Sequence, residues 1–350
     1  MKKILLLMLM MLTAQAASAQ NIKGEGSSFA LNLYNGWSDQ FLRKQGKALE
    51  YEPSGSSAGV KAVIANSVDF GASDRPLLRD ELRKHGFAQF PTAIGGVVII
   101  TNLDNISADK LLLDGTTLAD IYLGKIKKWN DPRIAALNSS VKLPDMPIVP
   151  VFRSDGSGTS FVFTSYLSKA SAAWKQNVGA TSQLSTQGGR GFKGNKSVAE
   201  SVRAIPGAIG YVEYSYAIDL SVPTVKMKNR WGDVVTATAE TIQHAMRAAD
   251  WEFLVIDQDP TFELDLVDAG CPRCWPIASP TYVLVPVRGK NAGNSAKVLD
   301  FFQQALTDGD QLAASEGYVP LPSRAKSMIK VSMRRWYLAL GRGNESKSAR

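Results

Sequence analysis

The residues best placed to do chemistry lie in Phe152-Arg153-Ser154-Asp155-Gly156-Ser157-Gly158-Thr159-Ser160-Phe161. A guanidinium, a carboxylate, hydroxyls and two glycines fall within one turn's reach of one another. The apolar run Ile148-Val149-Pro150-Val151 before it reads as a buried strand. After it, Phe163, Tyr166, Leu167 and Ala170 recur at i, i+3, i+4 and i+7, one face of a helix. The stretch is therefore a strand-to-helix turn. The first N–H groups of a helix lack partners, and the helix dipole places about +0.5 charge there. An adjacent Arg153 adds a full positive charge in a planar fork, so the chemistry on offer is anion binding. A capped helix start beside a solvated arginine is the plainer alternative.

Two other turns share this composition. Gly24-Glu25-Gly26-Ser27-Ser28-Phe29 precedes a helix whose Ala30, Leu33, Tyr34, Trp37 and Phe41 share a face. Ser54-Gly55-Ser56-Ser57-Ala58-Gly59 precedes one carrying Val60, Val63 and Ile64. Strand-like segments alternate with the helices: Leu49-Glu50-Tyr51, Val68 to Asp74 and Val97 to Thr101. This alternation predicts α/β layers with mostly parallel sheets. In such sheets ligands sit beyond the carboxyl ends of strands, where these turns lie. The three helix starts either converge on one ligand or are independent caps.

Rival chemistries are weaker. Gly55-x-Ser57-x-Gly59 matches the nucleophile elbow of a secreted serine hydrolase, with His85 or His244 as the only histidines available as a base. Gly156 to Ser160 lacks the Lys of a Walker loop, and Gly188 to Asn195 lacks the spacing of a dinucleotide fingerprint. Two histidines and two cysteines are too few for an ordinary metal centre, so no metal is expected.

The start of the chain sets its compartment. Lys2 and Lys3, the apolar run Ile4 to Leu12 and the small-residue motif Ala17-Ser18-Ala19 make residues 1–19 a secretory signal peptide. No later stretch approaches the ~20 apolar residues of a membrane helix. About 330 residues follow the leader, enough for two domains. The formal charge of the 350-residue precursor is +8, two of it from the leader; this does not demand nucleic acid. Cys271 and Cys274, spaced C-P-R-C, are expected to form a disulfide in an exported chain, a redox pair being the sharper alternative. Near the C-terminus, Ile329, Met333, Trp336 and Leu340 form a stripe on a basic helix, expected to dock on its own domain.

Taken together, several stretches resemble the periplasmic phosphate-binding proteins of bacterial phosphate ABC transporters. They are Gly24 to Phe29, Gly55 to Val60, Asp69 to Asp74, Phe90 to Val97, Leu113 to Ile126, Arg153 to Tyr166 and Pro206 to Tyr214. The resemblance reaches from the mature start to about Pro322 and is specific, because order and spacing agree along with the motifs. It implies a two-lobed α/β periplasmic binding protein (type II-like) with a two-stranded hinge. Lobe 1 would hold residues 20–94 and 283–350, and lobe 2 residues 95–282. It implies a non-enzymatic, monomeric receptor with no cofactor, handing inorganic phosphate to membrane permease subunits. By motif, the ligand contacts would be Ser28, Phe29, Ser56, Asp74, Arg153, Ser157, Gly158 and Thr159, with Asp155 orienting Arg153. A receptor for another oxyanion stays open, and Asp74 has the alternative role of capping the turn at Arg75-Pro76. The C-P-R-C segment, the basic tail and Ser28 in place of Thr depart from the family pattern.

Overall fold

The computed structural model describes residues 21–43, 48–104, 106–249, 251, 260–288 and 293–348, with side chains as far as 341. The expected leader at 1–19 lies outside the described residues.

Eleven strands are present among the described residues: β1 (Ile22–Gly26), β2 (Leu49–Glu52), β3 (Phe70–Ser73), β4 (Phe87–Thr101), β5 (Leu112–Asp114), β6 (Val149–Arg153), β7 (Arg190–Phe192), β8 (Ala208–Glu213), β9 (Lys226–Lys228), β10 (Val234–Val235) and β11 (Ala278–Pro286). Eight form one sheet in the order β2-β1-β3-β11-β4-β8-β6-β7, and β10-β9-β5 form a small second sheet. Within each end of the large sheet the strands are parallel: β2, β1 and β3 on one side, β8, β6 and β7 on the other. The two central strands run antiparallel to their neighbours. The sheet is thus mixed, where the strand–helix alternation alone suggested mostly parallel pairing.

β4 joins the two ends. Residues 87–96 pair with β11, and Val97–Thr101 pair with β8, so the partner changes between Gly96 and Val97. The sequence pattern marks only Val97 to Thr101 as a strand. Pro91, Gly95 and Gly96 break the pattern but not the strand, because the glycines are contact points. A Cβ at Gly95 would lie 2.5 Å from the Phe29 ring, and one at Gly96 2.7 Å from Ile242. Likewise Gly24 and Gly26, expected in a turn, belong to β1, Gly24 at its middle and Gly26 at its end. A Cβ on Gly24 would meet the Phe70 ring at 2.2 Å.

Apolar faces of the helices cover the sheet. Leu33, Tyr34, Trp37 and Phe41 of the Leu31–Phe41 helix are buried, with Tyr34 edge-on to Phe302 and Phe70. The C-terminal helix (Ser323–Ser348) docks as its stripe predicts: Ile329 and Met333 are buried, and Trp336 stacks on Phe90 at 5.7 Å. Burying a side chain of this size stabilises by about 1.5–3 kcal/mol. Cys271 and Cys274 are joined in a disulfide with Cα atoms 5.7 Å apart. It lies in a loop between the Ala239–Arg247 helix and β11.

Candidate functional site

The turn after β1 is held from behind. Ser27 caps it by accepting from the Phe29 N–H at 3.0 Å. Three successive carbonyls each accept a tyrosine hydroxyl: Ser27 O from Tyr51 at 2.6 Å, Ser28 O from Tyr216 at 2.7 Å and Phe29 O from Tyr318 at 2.6 Å. Fixing the carbonyls fixes the peptide planes. Phe29, expected by motif to contact the ligand, donates its N–H to Ser27 Oγ; its ring is buried against Gly95 in the middle of β4.

Asp74 follows β3 and is 1 % exposed. Its Oδ2 accepts from Ser27 Oγ and its Oδ1 from Thr281 Oγ1, both at 2.7 Å, and its N–H donates to Ser56 Oγ at 3.2 Å. Burial pushes its carboxyl up to about 6, opposed by the Ser27 and Thr281 hydrogen bonds and the charge of Arg153. The turn-capping role belongs to its neighbour instead. Ser73 Oγ accepts from the Arg75 N–H at 3.1 Å and donates to Arg75 O at 2.6 Å. Asp74 is therefore free of that duty, and each of its oxygens keeps a lone pair beyond its one hydroxyl partner. Ser56 begins the Ser56–Ile64 helix; because its oxygen accepts from Asp74, its proton is left to donate.

Arg153 ends β6 and is 1 % exposed, which a bare guanidinium would not tolerate. Asp155 answers it: Nε donates to Oδ1 at 2.7 Å and Nη2 to Oδ2. Burial works against ionised Asp155, but the Arg153 pairing and the Gly194 N–H carry its carboxyl below the usual range. The Nε–Nη2 edge is therefore spent. What remains for an anion is the Nη1–Nη2 end, with Nη1 3.4 Å from Thr159 Oγ1. The next helix, Gly158–Ala170, is capped by Ser157, whose Oγ accepts from the Ser160 N–H at 3.0 Å.

These elements meet across the two ends of the sheet. A Cβ on Gly158 would fall 2.3 Å from Ser56 Oγ and 2.5 Å from Asp74 Oδ2. The Ser57 N–H donates to Gly156 O at 2.9 Å. Ser28 reaches the far side through Asn195, whose Nδ2 lies 3.0 Å from Ser28 Oγ and 3.3 Å from Thr159 Oγ1. All eight residues singled out in the sequence are thus in one buried cluster, with the part-buried Asp155 against Arg153, and the helix starts converge. Such an arrangement surrounds a small tetrahedral anion with N–H and O–H donors, one guanidinium end and one carboxylate. Asn195, Ser27 and Thr281 were not foreseen. Asn195 sits in a Gly-rich segment that reads as a surface loop, and no local signal ties Thr281 to a site more than 120 residues away in sequence.

The hydrolase chemistry does not assemble. Among the described residues the hydroxyl partner of Ser57 is Ser182, at 3.5 Å. His85 stacks on Phe87 and His244 lies 3.8 Å from Glu240. No grouping of three or more His, Cys, Asp or Glu suited to a metal occurs among the described residues, and no helix there is long and apolar enough to cross a membrane.

The chain is also similar to proteins of known kind. A model described as the PBP superfamily domain matches residues 13–301. The phosphate-binding protein PstS of Xylella fastidiosa (strain Temecula1) is 42% identical over 318 residues, covering 91% of this chain and 86% of the relative. That of Pasteurella multocida (strain Pm70) is 39% identical over 330 residues, covering 94% of each. Among solved structures, the periplasmic phosphate-binding protein PfluDING superposes with a TM-score of 0.70 at 21% identity, covering 89% of this chain and 94% of that one. A human phosphate binding apolipoprotein gives 0.71 at 20%, with the same coverage. At those identities the superpositions bear on the fold, which is that of two-lobed α/β binding proteins. The identity to the relatives carries the rest: this chain belongs to the PBP superfamily and, within it, to the PstS family of phosphate-binding proteins.

Proposed function

We propose that this protein is an exported, periplasmic receptor that takes inorganic phosphate into the cleft between two lobes and delivers it to the permease subunits of a membrane ABC transporter. The observation that carries the reading is the buried pairing of opposites: Asp74 and Arg153, each 1 % exposed, at the carboxyl ends of β3 and β6. A carboxylate repels a bare anion but accepts a hydrogen bond from one that still bears a proton. Phosphate at neutral pH is a mixture of mono- and dianion, and both carry a P–OH. The ligand set is Ser28, Phe29, Ser56, Asp74, Arg153, Ser157, Gly158 and Thr159, with Asp155 holding Arg153. Because the Phe29 N–H is engaged by Ser27, its contribution is the shape of the turn unless that cap yields. The lobes are residues 20–94 with 283–350, and 95–282, turning about β4 and β11. The change of partner at Gly96–Val97 supports this division. The protein works as a monomer without a cofactor and does not bind nucleic acid.

An equilibrium titration of the mature protein with phosphate, beside esterase and phosphatase assays, tests the reading. Saturable one-to-one binding with no turnover is expected. Turnover that depends on Ser57, or preference for another oxyanion, would replace it.

A further inference from the structure

We propose that Asn195 is the positioning residue that turns the Ser28 and Thr159 hydroxyls into obligate donors toward the anion; this rests on the phosphate reading above. A serine or threonine hydroxyl has one proton to give and two lone pairs to fill. Ser28 Oγ lies 3.0 Å from Asn195 Nδ2 and 3.3 Å from the Asn195 main-chain N, so both lone pairs accept. Thr159 Oγ1 lies 3.3 Å from the same Nδ2 and 3.4 Å from Arg153 Nη1, so its lone pairs are filled too. Neither oxygen has acceptor capacity left. The one free capacity on each is its proton, and a filled cluster leaves that proton only the ligand side.

The orientation of the amide is not arbitrary. Asn195 Oδ1 accepts from the Glu213 N–H at 3.2 Å. Turned over, the amide would set N–H against N–H at Glu213 and its oxygen against hydroxyls already approached by other donors. The residue is 0 % exposed, so water cannot relieve that mismatch. Its helix, Gly194–Ala204, stands in the second half of the chain, whereas Ser28 follows β1. One amide therefore spans both lobes, and its two N–H groups are shared between them. A charge-neutral donor suits the place: a lysine would add charge that the Arg153–Asp155 pair already balances, and an acid would reverse the polarity of both hydroxyls.

The test compares Asn195→Ala with Asn195→Asp by equilibrium phosphate titration at neutral and mildly acidic pH. Losing the two donors should weaken binding about tenfold in Asn195→Ala. The near-isosteric Asn195→Asp should be worse, by about a hundredfold, because its carboxylate takes the two protons meant for phosphate. Its deficit relative to wild type should shrink on acidification, as the acid regains a donor. A residue that only filled space would show the reverse order, with the isostere closer to wild type and no change with pH; that result overturns the proposal. Should neither variant fold, neutron diffraction of the wild-type protein with phosphate decides. Hydroxyl hydrogens of Ser28 and Thr159 directed at the ligand support the proposal, and hydrogens directed at Asn195 overturn it. A wild type that does not bind phosphate would instead remove the functional reading on which this rests.

Discussion

Replacing Asp74 with Asn is the perturbation from which the site's logic can be worked most fully. The carboxylate is buried, accepts one hydroxyl at 2.7 Å on each oxygen, and has room for one further donor on each. A protonated phosphate supplies that donor. Sulfate at neutral pH has none, so one of its oxygens would face Asp74 as acceptor against acceptor, desolvated and unpaired. Sites that receive a hydrogen bond reject analogues lacking it by about 10⁴–10⁵-fold, and wild type should prefer phosphate to sulfate on that scale. In Asp74→Asn the Ser27 or Thr281 hydroxyl reverses to accept from the new amide, whose second N–H can donate to any anion oxygen. The charge repulsion also disappears. Sulfate affinity should rise at least ~100-fold, while phosphate loses about tenfold or less, so the preference should fall to about 10³-fold or below. Acidification gives a second arm. With its carboxyl pushed up to about 6 by burial, Asp74 in the wild type gains a proton as the pH falls through that value, and sulfate should begin to bind. The Asn variant, with nothing to titrate there, should bind sulfate equally on both sides of that pH. Competition calorimetry with both anions reads all of this. If Asp74→Asn rejects sulfate as strongly as wild type, Asp74 is not the proton acceptor.

Other expectations follow from single contacts. Gly158→Ala adds a Cβ 2.3 Å from Ser56 Oγ and 2.5 Å from Asp74 Oδ2, a clash between elements from the two ends of the large sheet; phosphate affinity should drop by about 1–3 kcal/mol while the melting temperature without phosphate changes little, and an unchanged affinity would mean that the proposed cleft closes differently. Glu213 is fully buried, and burial pushes its carboxyl from an ordinary 4.5 up to about 8, the Asp74 charge adding to the shift against the Ser215 and Tyr318 hydrogen bonds. The folded state therefore holds this proton more tightly than the unfolded chain. Its contribution is fully favourable below about pH 4.5 and is lost as pH rises toward 8, at most about 5 kcal/mol. Glu213→Gln should accordingly raise the melting temperature at pH 8–9 and leave it nearly unchanged at pH 4–5, as denaturation scans at both ends can check. Replacing Cys271 and Cys274 together with Ser should cost about 1–2 kcal/mol of stability, because the loop closed is short, and leave phosphate affinity within error; a large affinity loss would link this loop to the site.

Much of the site was legible in the sequence because its parts are local. A Gly/Ser turn before an apolar periodic run announces a helix start, and three of them announced three. Arg153 and Asp155, two residues apart, could be paired on paper. What composition could not supply was proximity; only the resemblance of ordered motifs brought Ser28, Asp74 and Thr159 into one place. Residues acting from a distance stayed hidden. Thr281 contacts Asp74 because β11 lies between β3 and β4, an insertion that no short-range pattern encodes. Asn195 looks like part of a basic Gly-rich loop until the helix it opens is seen to run inward. The first turn misled at one glycine: Gly24 reads as part of a turn, yet it sits inside β1, where the Phe70 ring presses on its Cα. The reading of Phe29 as a ligand contact came from motif alone; its N–H donates to Ser27 Oγ at 3.0 Å.

The central claim is that one phosphate is held between the lobes by these particular side chains. A crystal structure of the mature protein grown with phosphate tests it most directly. The account predicts one tetrahedral density within hydrogen-bond reach of Ser28, Ser56, Arg153, Ser157 and Thr159, with one oxygen on Asp74 at a donor–acceptor distance of about 2.5–2.7 Å. Density lodged elsewhere, or an anion in this cleft that touches Arg153 and leaves Asp74 without contact, would contradict it.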